Sequence, residues 1–201
     1  MGLASFIDLW SVDFRTVDMA GMGTPKERVL FMDISTTGVD RRTGLPLRII
    51  ARLSGDAVGC LVVLECDGVY YALLVKQLRV PVGKELLEIV AGMMDSSSDP
   101  TAKMIEELEE EAGLVIPRSS VSALAIRPLY TSPGRSDEAI HLYACTTKVT
   151  PEKLAEFRGQ IHGARDESER TELVVIPLNE VHEHTDDMKT ALAVLLYHPQ
   201  T

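Results

Sequence analysis

Two apolar stretches separated by a tight turn constrain the fold of this chain more than any other feature. Residues 57–64 and 69–75 are continuous apolar runs rich in β-branched side chains, and Asp67-Gly68 lies between them. An Asp-Gly pair between two such runs is a strong signal for a β-hairpin. Further strands are predicted near 29–35, 86–90, 121–128, 139–146 and 172–177, with a hairpin turn at 38–44 and helices at 100–112, 151–158 and 187–197. Strands and isolated helices without strict alternation predict an α+β fold with a mixed sheet.

Length and charge set the wider expectations. The chain has 201 residues, which allows one domain with an extra segment, and we expect an N-terminal arm at 1–27 and a domain at 28–201. The arm is interpreted as a dimerisation element or a disordered leader. A net charge of −10 disfavours nucleic-acid binding, which needs a basic surface. We expect no membrane span and no signal peptide, because no apolar run reaches 18 residues and the first residues lack a basic segment, so the predicted compartment is the cytoplasm.

The segment from Gly92 to Leu114 carries the chemistry. Asp99 and Pro100 predict a helix start, and Gly113 predicts its end. Five glutamates occupy six positions of this helix: Glu106, Glu107, Glu109, Glu110 and Glu111. Like charges at this spacing repel each other, so the run costs helix stability.

Helical geometry separates these carboxylates from an apolar face. Glu107, Glu110 and Glu111 fall on one arc, whereas Ile105 and Ala112 fall with Leu108 on another that can pack against a core. Three carboxylates on one arc suit a hard cation such as Mg²⁺ or Mn²⁺. The alternative interpretation of the run is a solvated face of a surface helix.

The spacing around this helix resembles the Nudix box. The box reads G, five residues, E, seven residues, then R-E-U-x-E-E-x-G-U with U apolar. The matching residues are Gly92, Glu107, Leu108, Glu110, Glu111, Gly113 and Leu114. Two positions depart, since Ser98 stands at the first Glu of the box and Glu106 at its Arg.

The resemblance extends over roughly residues 28–198. Residues 75–84 and 87–93 resemble the segment before the box in nucleoside-diphosphate-sugar hydrolases, and plant-type ADP-sugar diphosphatases are the most similar group. Residues 134–143 resemble a second block of that branch, and 163–169 resemble the acidic loop of its ADP-ribose-type members. Asp187 and Lys189 recur in its last helix. The resemblance implies the Nudix fold, a mixed sheet between helices, and a homodimer.

The resemblance also implies metal ligands and a base. Glu107, Glu110 and Glu111 would hold Mg²⁺, or Mn²⁺, with help from the main-chain carbonyl of Ala91. Glu110 could instead serve behind the other two ligands. The base would come from the acidic loop, which offers Asp166, Glu167 and Glu169, with Glu169 preferred to Glu167. A solvated charged loop is the alternative interpretation of that segment.

Five further residues are candidates for contacts with substrate. Arg79 follows an apolar strand, where an arginine can clamp a phosphate with two hydrogen bonds, and Arg52 is similar. Glu88 lies in an apolar run and needs a partner, so it could orient Arg79, contact substrate or form a structural ion pair. Arg135 and Glu138 follow a turn that could overhang the site, although an ordinary turn is the other interpretation.

The two departures from the box suggest that a pair has been lost together. An Arg and a Glu that are both absent could have been partners, and losing both leaves no unpaired charge. The catalytic carboxylates could then survive the change. Two other interpretations stay open: Glu106 alters metal affinity through its added charge, or turnover has weakened in favour of binding.

These features predict a Mg²⁺-dependent hydrolase of nucleoside diphosphate sugars. ADP-glucose, ADP-ribose and UDP-glucose are the candidate substrates, and the expected products are a nucleoside monophosphate and a sugar 1-phosphate. One alternative is a catalytically weakened or inactive Nudix-fold nucleotide sensor. Another is an unrelated acidic Ca²⁺-binding or scaffold protein, although the chain has no EF-hand loop.

Overall fold

The computed structural model describes residues 7–20, 28–94, 97–162 and 171–199. By its internal contacts the chain forms two compact units. The first comprises Met1–Asp56 with Tyr130–Ala139, and the second comprises Ala57–Leu129 with Ile140–Thr201. The boundary expected between residues 27 and 28 stays a prediction.

The described part of the first unit contains a three-stranded antiparallel sheet. Its strands are β1 Ile7–Ala20, β2 Arg28–Asp40 and β3 Pro46–Leu53, in the order β1-β2-β3. The strand at 29–35 and the turn near 38–44 are confirmed. The sequence does not predict β1, and the register shows why. Three irregularities interrupt its pairing with β2, so its side chains do not alternate regularly in sequence.

The second unit is built on a mixed sheet that has nine strands among the described residues. They are β4 Ala57–Cys66, β5 Val69–Arg79, β6 Lys84–Glu88, β7 Val90–Met93, β8 Val121–Ala123, β9 Leu129–Tyr130, β10 Ala139–Lys148, β11 Ile161–His162 and β12 Thr171–Pro177. The order is β11-β12-β5-β4-β10-β8, with β6 beside β5, β7 beside β4 and β9 beside β10. Strand β10 runs parallel to β4, which makes the sheet mixed.

Four described helices cover the two faces of this sheet. They are α1 Pro100–Ala112, α2 Pro151–Phe157, α3 Val181–His184 and α4 Met188–Leu196. Helices α1 and α2 contribute to one apolar core, and α3 and α4 contribute to the other. Strand β4 lies between them: Val62 points into the first core and Leu61 into the second. Burial on both faces explains why β4 is apolar without alternation. The expected sheet between helices is confirmed.

The β4–β5 hairpin is paired only near its turn. Val62–Cys66 pair with Val69–Leu73, but residues 57–60 of β4 pair with β7, and 75–79 of β5 pair with β6. The two strands therefore diverge, and the segment from β6 to β7 fills the gap between them. This insertion brings Glu88 and Ala91 into the centre of the sheet.

Two strand predictions are corrected. The strand predicted at 86–90 is two strands, because the Ile89 amide donates to the Thr190 hydroxyl at 2.8 Å and the chain changes partner there. Of the strand predicted at 121–128, only Val121–Ala123 pairs with β10 in the main ladder. Pro128 lacks an amide hydrogen and cannot continue such a ladder. Within the described ranges, no helix is long and apolar enough to cross a membrane.

Candidate active site

Helix α1 begins and ends where the sequence predicts. The Asp99 side chain accepts hydrogen bonds from the amides of Thr101 and Ala102 at 3.1 and 3.2 Å, which is an N-cap. Gly113 has φ 63°, a left-handed conformation that glycine adopts without strain, and its amide donates to the Glu109 carbonyl. The helix is therefore fixed at both ends, and its carboxylates have a defined phase relative to the sheet.

The apolar face of α1 packs on the sheet and brings Glu107 against β7. Met104 and Leu108 are fully buried, and Ala112 is nearly so. Glu107 lies beside this face and is itself buried. A Cβ atom at Gly92 would stand 2.1 Å from the Glu107 Cδ, so the close approach of β7 to this carboxylate requires glycine.

Lys103 is the partner of Glu107. Its Nζ lies 2.9 Å from Glu107 Oε1 and 3.3 Å from Glu106 Oε2. Burial raises the pKa of the Glu107 carboxyl, and the Lys103 ammonium offsets only part of that rise. Sequence reasoning missed Lys103, although its spacing four residues before Glu107 is the signal that could have found it.

The other box glutamates differ in their surroundings. Glu111 is half-buried, and its Oε2 accepts a hydrogen bond from the Ala91 amide at 3.2 Å. Glu110 and Glu109 are exposed. Among the residues that the structure describes, no three His, Cys, Asp or Glu side chains are already grouped to hold an ion. The structure thus brings Glu107 and Glu111 to adjacent residues of β7 and leaves Glu110 in solvent.

The donor set at β7 fits a divalent cation. Glu107 and Glu111 are carboxylates held against Gly92 and Ala91, and oxygen donors of this kind are what Mg²⁺ and Mn²⁺ prefer. The space over Gly92 is occupied by the Glu107 carboxylate itself, where any larger residue would displace it. The metal roles of Glu107, Glu111, Glu110 and the Ala91 carbonyl stay predictions.

Glu88 is buried and forms ion pairs with the partly exposed Arg79 and with Lys189. The Arg79 guanidinium donates two hydrogen bonds to the Glu88 carboxylate, at 2.6 and 2.8 Å, and Lys189 contacts the same carboxylate. Lys189 also lies 3.0 Å from Asp187. Burial raises the pKa of Glu88, but the hydrogen bonds from Arg79 and Lys189 outweigh it and hold the pKa below its ordinary value. Glu88 is therefore an ionised anchor for Arg79.

Two other predicted substrate residues, Arg52 and Arg135, meet within the first unit. Together with Arg15 and Asp33 they line a cavity of about 500 Å³. Arg52 makes two hydrogen bonds to the Asp33 carboxylate and lies 4.5 Å from the centre of the Phe31 ring. Arg15 carries no predicted role in chemistry from its sequence context.

The loop after the turn at 132–134 is tied to β3. The Arg52 amide donates to the Arg135 carbonyl at 2.7 Å, and Asp137 accepts from the Ser54 amide at 2.8 Å. Glu138 is half-buried and accepts a hydrogen bond from the Thr131 hydroxyl at 2.8 Å. The predicted base residues Asp166, Glu167 and Glu169 lie outside the described residues.

Comparisons with known proteins agree with the geometry of this helix and strand. Residues 53–195 match the sequence model of the NUDIX domain. Nudix hydrolase 14, chloroplastic, of Arabidopsis thaliana is 30% identical over 195 residues, which cover 93% of this chain and 63% of the relative. ADP-ribose pyrophosphatase of Bacillus subtilis (strain 168) is 28% identical over 68% of this chain and 70% of its own length.

One solved structure shows the same fold. The crystal structure of an ADP compounds hydrolase superposes with a TM-score of 0.64 at 14% identity, covering 95% of this chain and 91% of that one. The chain spans somewhat less than two thirds of the length of the Arabidopsis relative. The NUDIX domain match covers more than half of the chain, and the box glycines and two box carboxylates meet at β7 and α1. The chain therefore belongs to the Nudix family.

Proposed function

We propose that this protein is a divalent-metal-dependent hydrolase of nucleoside diphosphate sugars. The reaction would split the diphosphate bridge with water and release a nucleoside monophosphate and a sugar phosphate. The observation that carries the proposal is the meeting of α1 with β7, where Glu107 lies against Gly92 and Glu111 against Ala91. Mg²⁺ or Mn²⁺, when bound, would neutralise phosphate charge and make water a better nucleophile.

The chain's own residues bind the cation, bind the substrate and accept a proton. Glu107, Glu110 and Glu111 hold the cation, and the Ala91 carbonyl assists them. Arg79, whose guanidinium is oriented by Glu88, contacts the phosphate oxygens of the substrate. Glu169, or else Glu167, takes the proton from the attacking water. Contacts of Arg52, Arg135 and Glu138 with substrate stay predictions.

An ADP-sugar is the proposed substrate class. Two similar proteins are named for ADP-ribose pyrophosphatase and ADP-sugar pyrophosphatase activity, the second from Mus musculus. We therefore expect ADP-ribose and ADP-glucose to be better substrates than UDP-glucose. Another similar protein, from Bacillus methanolicus, is named a methanol dehydrogenase activator.

The first test is hydrolysis of four substrates. Purified protein would be incubated with ADP-glucose, ADP-ribose, UDP-glucose and a nucleoside triphosphate, with Mg²⁺, with Mn²⁺ or with EDTA, and the products resolved by ion-exchange chromatography. We expect metal-dependent release of AMP from ADP-sugars. Glu107→Gln should lower kcat/KM by more than about 100-fold, since even residues behind the ligands cost 10–100-fold. Glu109→Gln, on the same helix but exposed, is the matched control and should retain activity.

The alternative is a nucleotide sensor. Ser98 in place of the first box glutamate and Glu106 in place of the box arginine are the features that favour it. Binding of ADP-ribose by a folded protein that turns over none of the four substrates would favour the sensor and contradict the hydrolase.

Two further parts of the proposal concern assembly and compartment. A homodimer is proposed because β1 carries apolar side chains in solvent: Leu9, Trp10, Val12, Phe14 and Val17. A cytoplasmic location stays a prediction, and the Arabidopsis relative is named as chloroplastic. Fractionation of the native cells with an antibody to this chain would test the compartment.

A further inference from the structure

Lys103 is a buried lysine on the carboxylate side of α1. Only 9% of its surface is exposed, and lysines are almost never so buried unless they are paired. Its two partners differ in exposure: the Glu106 side chain is 56% exposed, but that of Glu107 is only 11% exposed. The ion pair with Glu107 is therefore the one shielded from water, where charges interact more strongly.

The Glu107 carboxylate is confined from two sides. The backbone of β7 at Gly92 lies against it so closely that no Cβ would fit, and Lys103 Nζ lies 2.9 Å from Oε1. Turning the carboxylate away from β7 would leave Lys103 with only the more exposed Glu106. The ammonium thus fixes the orientation of the carboxylate and compensates its charge.

Lys103 does not occupy the position at which the Nudix box has its arginine. The box has an arginine directly before this glutamate, at the position of Glu106 in this chain. Lys103 stands four residues before Glu107, the spacing that places helix side chains next to each other. The chain has no cation at position 106, and Lys103 contacts Glu107 from the preceding turn of the helix.

We propose that Lys103 is a positioning residue that holds the Glu107 carboxylate against Gly92 in its metal-binding orientation, supplying the cation that α1 lacks at position 106. The inference rests on the proposed function, because it takes Glu107 as a metal ligand. It also bears on the added charge of Glu106, because Lys103 contacts both Glu106 and Glu107 from the preceding turn of the helix.

The test is Mn²⁺ binding without substrate, followed by electron paramagnetic resonance of the free ion. Removing a residue that orients a ligand weakens metal binding by about 10–100-fold, and we expect this of Lys103→Met. Lys103→Arg should keep most of the affinity. Lys103→Met combined with Glu106→Arg should restore it, because that pair of changes returns the cation to the box position.

A matched control and a kinetic measurement separate positioning from general damage. Lys153 on α2 also pairs with a glutamate three residues on, at 3.0 Å, and Lys153→Met should bind Mn²⁺ like the unchanged protein. In Lys103→Met the metal concentration for half-maximal activity should rise, while kcat at saturating metal falls much less. Melting temperatures without metal establish that each variant is folded, and Lys103→Gln replaces Lys103→Met if the latter is not.

The outcomes distinguish this inference from the proposed function. If Glu107→Gln abolishes Mn²⁺ binding but Lys103→Met binds as tightly as the unchanged protein, or more tightly, the inference is overturned and the hydrolase proposal stands. If Glu107→Gln leaves Mn²⁺ binding unchanged, Glu107 is not a ligand and both are overturned. Loss in Lys103→Met with recovery in the double variant supports the inference.

Discussion

Glu88 and Glu107 are both buried glutamates, but their surroundings shift their pKa values in opposite directions. Burial raises the pKa of each; at Glu88 the hydrogen bonds from Arg79 and Lys189 outweigh it, and at Glu107 the single lysine does not. Two cations thus keep Glu88 ionised, whereas burial makes the ionised form of Glu107 less favourable. Shifted pKa values occur both at functional sites and in structural ion-pair networks, so the contacts of each glutamate indicate its role.

The ionised state of Glu88 predicts an acid-dependent loss of stability. Because its folded pKa is depressed, its contribution is fully present above the unfolded value of about 4.3 and is lost as pH falls below it toward the folded pKa. Glu88→Gln should lower the free energy of unfolding by about 2 kcal/mol at pH 7, the scale of hydrogen bonds to a charged group. The measurement is urea unfolding of both proteins at pH 7, 5, 4 and 3.

The difference between the two proteins should be constant from pH 7 to 5 and shrink at pH 4 and 3. Glu85→Gln, which removes an exposed carboxylate outside the glutamate run of α1, serves as the control and should follow the unchanged protein. A difference that grows as pH falls would show that Glu88 is not held ionised by Arg79 and Lys189.

At the scale of single residues, the sequence shows which residues lie together at the site better than it shows which side chains pair with one another. Gly92, Glu107 and Glu111 could be assigned to one site from their spacing, because the box fixes them by local helix and strand geometry. The contact of Glu88 with Lys189 joins residues 101 positions apart, and only the resemblance had drawn attention to Lys189. Lys103 could have been predicted from its position four residues before Glu107, but the run of five glutamates led us to expect negative charge alone.

The approach of strand β7 to helix α1 depends on one missing side chain. Gly92→Ala would place a methyl group 2.1 Å from the Glu107 Cδ, so the carboxylate must move or the helix must shift outward. We expect weaker Mn²⁺ binding and only a small change in unfolding free energy, because the displaced atoms form the flexible end of the Glu107 side chain. Urea unfolding and Mn²⁺ titration measure the two effects.

Gly134 offers the matched control for this substitution. A Cβ there would meet no atom within 4 Å, so Gly134→Ala should change neither quantity. Normal Mn²⁺ binding in Gly92→Ala would contradict the packing of Glu107 on β7.

The elements that sequence predicts well are those whose limits are local. Helix α1 is bounded by Asp99 and Gly113, and the turn between β4 and β5 is set by Asp67-Gly68. The change of partner at Ile89 could not be predicted, because it depends on a hydrogen bond to Thr190. Strand β1 was missed because its irregular pairing with β2 removes the alternation by which strands are recognised.

At the scale of the whole molecule, the apolar side chains of β1 predict self-association. Trp10 and Phe14 are each 67% exposed, and β1 is an edge strand of its sheet. We expect twice the mass of one chain by light scattering after size exclusion. Trp10→Ser with Phe14→Ser should shift the protein to the mass of a single chain. Trp10 is the only tryptophan in the sequence, so a blue shift of emission with rising concentration would report the same event.

The control for association is an exposed apolar residue of the second unit. Ile126 is fully exposed, and Ile126→Ser should leave the mass unchanged. A single-chain mass for the unchanged protein at micromolar concentration would contradict the dimer.

The divergent hairpin has a consequence for synthesis of the chain on the ribosome. By the time residues up to Met93 have emerged, one edge of β4 can be complete, since β5 and β7 share it. The opposite edge waits for its parallel partner β10, which begins only at Ala139. During that interval the nascent chain presents an apolar edge with unpaired amides and carbonyls, which is where aggregation begins and where chaperones act. Until β10 is synthesised, this edge of β4 is a site at which a ribosome-bound chain can aggregate, and β11 and β12 join the sheet later still.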